Sequence, residues 1–65
     1  MNMQDRLLIV LKQQWITPVD ALNLAGCLSL SQRCGDLRRA GVVVLDKWVQ
    51  LPNGKRIKAY RVLTA

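Results

Sequence analysis

Between Met3 and about Gln14, Gln4, Leu7, Leu8, Leu11 and Trp15 fall three and four positions apart, which places them on one stripe of an α-helix. Asn2 suits the cap of this first helix, and Asp5 lies in its first turn, where a carboxylate favours the positive end of the helix dipole. Ile9 falls off the stripe and is expected at the surface, either as an isolated aliphatic residue or as a contact for a partner. After an extended Trp15-Ile16, the run Thr17-Pro18-Val19-Asp20 reads as an N-cap, a proline at the first helical position and a capping-box acid. A short second helix follows, with Val19, Leu22, Leu24 and Ala25 as its apolar contacts and Gly26 as its stop. Ser29-Leu30-Ser31-Gln32 repeats the start signal as a second capping box and predicts a third helix over residues 30–40, closed by Gly41.

Periodicity then changes from helical to β. Val42-Val43-Val44-Leu45 through Trp48-Val49, and Ile57 through Val62, are β-rich runs separated by Leu51-Pro52-Asn53-Gly54-Lys55-Arg56, and Asn-Gly between such runs marks a hairpin. Strands are expected near residues 43–50 and 56–62. A two-residue Asn53-Gly54 turn sets Trp48 opposite Ala59, whereas a three-residue loop with Gly54 as a bulge sets it opposite Lys58. Both registers satisfy the pattern.

Turned as a helix, residues 30–40 place Leu30, Cys34 and Leu37 on one face and Gln32, Gly35, Asp36 and Arg39 on the other, with Ser31 and Arg38 at the margin. The polar face combines Gln and Arg, which form paired hydrogen bonds with base edges, with small residues that let a helix approach closely. A solvated face, with Asp36 neutralised by Arg33 or Arg39 at helical spacing, is the competing reading. Asp36 is assigned to that neutralised role, and Arg33 to pairing with it or with another acid.

Charge separates these readings. The 65-residue chain carries a net +6, yet Arg6 and Lys12 cancel Asp5 and Asp20 in its first half. The whole excess comes from Arg33, Arg38, Arg39, Lys47, Lys55, Arg56, Lys58 and Arg61 against Asp36 and Asp46. So asymmetric a distribution suits a polyanion, because each neutralised phosphate releases counterions; solubility is the alternative cause of a modest net charge. Lys55 and Arg56 sit at the hairpin tip, where phosphate contact is expected. For Lys47 and Lys58, protection of a strand edge competes equally.

Other classes are excluded or disfavoured. A chain this short forms one domain, residues 1–65, and a fold of this size buries only about 60% of its unfolded surface, leaving little room for a substrate cavity. No His is present and no paired-carboxylate or nucleophile motif occurs, so an enzyme is not expected. Cys27 and Cys34 sit among apolar or small residues as buried thiols of a reduced, cytoplasmic protein, and with no His to join them neither a metal site nor a cofactor is expected. The apolar run Leu7 to Leu11 is far shorter than the roughly 20 residues of a membrane span, and no small-residue cleavage site follows it. Trp15, Trp48 and Tyr60 are expected in the core rather than as a stacking platform.

The order helix, extended piece, helix, turn, helix and basic hairpin is α+β and matches a winged helix-turn-helix. Trp15-Ile16-Thr17-Pro18, Ala21-Leu22, Gly26-Cys27, Arg33, Asp36-Leu37-Arg38, Ala40-Gly41, Trp48-Val49, Pro52-Asn53-Gly54-Lys55-Arg56 and Tyr60-Arg61 resemble small phage and prophage helix-turn-helix proteins over residues 15–62. The resemblance implies a DNA-binding fold of phage origin acting in transcription control, replication or excision. In the expected docking the third helix enters the major groove and the wing meets an adjacent backbone or minor groove. Ser31, Gln32 and Arg39 then meet base edges or nearby phosphates, while Arg38, Lys55, Arg56 and Lys58 meet phosphates. A domain this small makes few contacts, so dimerisation, tandem sites or a partner protein is expected to supplement them. The alternative is a protein-interaction module that presents the same basic surface to an acidic host or phage protein.

Overall fold

The side chain of Asn2 accepts from the Asp5 N–H at 2.9 Å and starts α1, Met3–Gln13. Its stripe buries Leu7 and Leu11 completely and leaves Ile9 exposed, as the periodicity predicts. The computed structural model that gives this fold describes residues 2–63. The chain leaves α1 in an extended conformation, and Ile16 exchanges two 2.8 Å backbone hydrogen bonds with Tyr60. Thr17 then starts α2, Pro18–Ala25, with both halves of its capping box formed: Thr17 N–H donates to Asp20 Oδ2 at 3.1 Å, and Asp20 N–H to Thr17 Oγ1 at 3.2 Å. Gly26, at φ +68°, ends the helix in the left-handed conformation.

Two expectations about the helices fail for identifiable reasons. The core face of α2 is Ala21 and Ala25, one turn apart, whereas Val19, Leu22 and Leu24 are exposed. Small residues at that spacing let the short helix lie close to its neighbours, and Leu22 and Leu24 are left on its flanks with Val19 on the far side. The capping box expected at Ser29 does not form. α3 spans Leu30–Arg39, but Ser29 has ψ 63° where Asn2 and Thr17 have 172° and 168°, so its hydroxyl is turned away from the free N–H groups and makes no cap bond. At the other end of α3, Val42 N–H donates to Leu37 O and Gly41 N–H to Arg38 O, each at 3.0 Å, which is the paired closure that a glycine at positive φ permits.

β1, Val44–Gln50, and β2, Arg56–Val62, form an antiparallel hairpin in which Trp48 pairs with Lys58. The three-residue loop is therefore the one adopted. Gly54 N–H donates to Leu51 O at 2.9 Å, Leu51 N–H to Lys55 O at 2.7 Å, and Gly54 sits at φ +87°. Asn53 Oδ1 accepts from the Lys55 N–H at 3.0 Å and holds the turn shut. Ile16 bonds to the outer edge of β2 as an isolated bridge at Tyr60, so at that one point β2 is flanked on both sides.

Alternation assigns each hairpin residue to a face. Val44, Tyr60 and Val62 point inward and join Leu7, Leu11, Ile16, Leu30, Cys34 and Leu37 in the core. Trp48 shares that inward face but is 61% exposed, because the hairpin runs on past the helices. Of the three aromatics expected inside, Tyr60 is buried, Trp15 is half-buried and Trp48 is outside. Cys27 and Cys34 are buried free thiols, and burial pushes the Cys34 thiol up to about 11. Among the described residues no helix is long and apolar enough to cross a membrane. Three helices followed by a two-stranded hairpin give the winged-helix topology.

The two caps should behave differently on truncation. Thr17→Ala should cost about 1 kcal/mol and lower Tm by roughly 4–8 °C, while Ser29→Ala should stay within about 0.5 kcal/mol of wild type. Thermal melts of both variants check this, and equal losses would contradict it.

Candidate nucleic-acid interface

Leu30, Cys34 and Leu37 anchor α3 to the core and thereby turn its opposite side to solvent. Ser31 and Gln32 are exposed there. One turn on, Asp36 is flanked by Arg33 and Arg39, each at 3.6 Å, so this carboxylate is neutralised as expected. The Arg39 side chain passes over Gly35, its Nη2 3.8 Å from where a Cβ would stand, an ordinary van der Waals distance. Arg39 nevertheless keeps 79% of its side chain in solvent, and such exposed helical pairs are weak enough to be exchanged for another anion.

Arg38 is differently placed. Its Nη2 donates to Val44 O at 3.0 Å and lies 3.9 Å from Asp46 Oδ1, so it ties the C-terminal turn of α3 to the root of β1. The other oxygen of Asp46 is 3.1 Å from Lys58 Nζ. The hydrogen bond and the charge of Lys58, assisted by Arg38, hold the Asp46 carboxyl below its usual 3.8. Lys58 Nζ in turn lies 5.4 Å from the Trp48 ring centroid, and Arg56 Cζ 5.8 Å from the same ring. A continuous chain of contacts thus runs from α3 along the inner face of the wing: Arg38, Asp46, Lys58, Trp48, Arg56. At its end is the tip, where Lys55 is exposed, and among the described residues neither Lys55 nor Arg56 has a carboxylate within 4.0 Å.

The candidate residues therefore differ in availability. Ser31, Gln32, Arg39, Lys55 and Arg56 face solvent, whereas Arg38 and Lys58 share Asp46 and keep less than half of their side-chain surface exposed. Lys47 and Arg61 lie on the outer face of the hairpin, away from this chain, and Lys47 Nζ sits 4.4 Å over the Trp15 ring. Asp46 and Trp48 were not among the expected site residues. Their signal was alternation: Asp46 falls between Val44 and Trp48 on one face, and a carboxylate there marks where that face leaves the core.

A shallow depression between α1 and the hairpin root is lined by Leu8, Val42, Val43, Val62 and Leu63, with Lys12 as its charged member. No nucleophile or acid–base pair lines it. Among the described residues no three metal-ligating side chains cluster. Comparison of the chain with protein-family models, with curated proteins and with solved structures gave no match.

The Asp46 bridge should respond to acid. Because its carboxyl titrates lower in the folded than in the unfolded chain, its contribution is present at neutral pH and is lost as pH falls below 3.8 through the folded value. In NMR titrations Asp46 should have the lower midpoint, and Asp46→Asn at neutral pH should shift the Arg38 and Lys58 side-chain resonances. An ordinary Asp46 midpoint, with Arg38 and Lys58 unmoved by the substitution, would contradict the bridge.

Proposed function

We propose that this protein is a non-catalytic binder of double-stranded DNA, in which α3 enters the major groove and the hairpin wing lies on the adjacent backbone or minor groove. The observation that carries this reading is the chain of contacts from Arg38 to Arg56, which fixes the cations of two separate elements in one arrangement. Independent positive side chains would repel and diverge; here Asp46 holds two of them, and the Trp48 ring lies within reach of Lys58 and Arg56. The net +6 arises entirely in residues 33–65, which supply the whole wing and all of α3 after Gln32.

Roles follow from availability. Gln32 and Ser31, uncharged and exposed on α3, are the residues for base edges, where a Gln side chain pairs with adenine in two hydrogen bonds. Arg39 exchanges Asp36 for a phosphate or a guanine edge. Lys55 and Arg56 meet phosphate at the wing tip, and Arg38 and Lys58 contribute potential across the angle between helix and wing while keeping that angle set. The biological roles that suit such a binder are transcription control, or an accessory step in phage-type replication or excision.

Duplex binding should weaken steeply with salt: with five or six phosphate contacts, the slope of log K against log salt is roughly −5. Replacing Lys55 and Arg56 together by Glu should lower affinity on all sequences alike and flatten that slope by about 2. Gln32→Ala should alter the sequence recovered from a random duplex pool while leaving the slope unchanged. Gel shifts across a salt series measure the affinity and the slope, and absence of duplex binding in low salt would refute the proposal.

A further inference from the structure

Trp48 is a large ring left in water beyond the point where its face of the hairpin leaves the core at Tyr60, with Asp46, Lys58 and Arg56 as its charged neighbours. It lies opposite Lys58 and diagonal to Arg56, and its exposure of 61% comes with an apolar surface that the core does not use. Covering such a surface is favourable whenever a ligand offers matching apolar area. Lys58 and Arg56 lie two residues apart on β2 and on the same side of the sheet as the ring. The wing therefore presents one apolar plate accompanied by two cations.

A DNA strand carries the complementary sequence of chemistry, since each apolar deoxyribose lies between two phosphate anions. Paired bases inside a duplex, by contrast, have their faces closed by stacking and show a wing only their edges. Resting on the duplex-binding reading above, we propose that Trp48 is the seat for one deoxyribose of the DNA backbone, with Arg56 taking the phosphate on one side of it and Lys58, held by Asp46, adding positive potential toward the other. This gives the wing a sequence-independent apolar contact in addition to its charges, and it fixes where along the strand those charges fall.

The test uses the full chain, with Trp15→Phe as the background so that Trp48 is the sole indole, and a perfectly paired duplex in low salt. On binding, Trp48 emission should shift to the blue and become protected from acrylamide. Trp48→Ala should weaken binding by roughly tenfold on unrelated sequences while leaving the salt slope unchanged, because an apolar contact releases no counterions. Trp48→Phe should recover most of the loss. Thermal melts of both variants show that the fold is retained, as expected for an exposed position. The inference is overturned if the duplex binds while Trp48 stays as accessible as in the free protein, or if Trp48→Ala binds like its parent. A loss of affinity with a flattened slope also overturns it, since the ring would then act only by holding Lys58 and Arg56. Marked quenching with preference for unpaired bases would assign the ring to base stacking instead and overturn it too. Failure of the parent protein to bind any duplex removes the duplex-binding reading itself, and with it this contact, which separates the two failures.

Discussion

The pairing of Trp48 with Lys58, imposed by a Gly54 bulge that only a residue at ease with positive φ can form, decides what each side of the hairpin does. In that register Val44, Tyr60 and Val62 fall on the inner face together with Asp46, Trp48, Lys58 and Arg56. The first group closes the hydrophobic core, and the second continues the same face beyond it. A slip of one residue would send one strand's whole set to the opposite side. Core and candidate interface are thus two ends of one surface, divided between Val44 and Asp46.

Energetically the two ends are unequal. A domain of this length has a total stability of roughly 3–10 kcal/mol, and truncating a fully buried Leu such as Leu7 or Leu11 removes about 2–5 kcal/mol of it. The ion pairs of Asp46 are exposed to water and contribute little to that total. Their consequence is geometric. Arg38 belongs to α3 and Lys58 to β2, so a shared carboxylate on β1 restrains the angle between helix and wing without adding much to the folding free energy.

Local signals made most of the architecture legible from the amino-acid sequence. The α1 stripe, the Thr17–Asp20 box, the glycine stops and the β-rich runs around Asn53-Gly54 each act within a few residues, and each has its expected structural counterpart. The misses have a common cause in three-dimensional context. Ser29 and Gln32 have the residue types of a capping box, but the turn before α3 holds Ser29 at the wrong ψ. On α2 the large apolar residues look like the packing face, yet only Ala21 and Ala25 fit the close approach. Asn-Gly serves both loop lengths, so the register depended on how Leu51 and Lys55 pair. Trp48 was expected inside because a small domain needs bulk in its core; alternation does set it on the inner face, but the hairpin carries it past the helices that would cover it. At the site, the exposure of Ser31, Gln32, Arg39 and Lys55 and the neutralisation of Asp36 could be read in advance, whereas the commitment of Arg38 and Lys58 to Asp46 required the folded chain.

The central claim is that α3 and the inner face of the wing meet one duplex together. Backbone amide chemical shifts recorded during titration with a short DNA duplex test it most directly. The account predicts perturbations concentrated at Ser31, Gln32, Arg39, Trp48 and Lys55 to Lys58, with Val19, Leu22, Lys47 and Arg61 unmoved. Perturbations centred on α2 or on the outer face of the hairpin, with α3 silent, would contradict it.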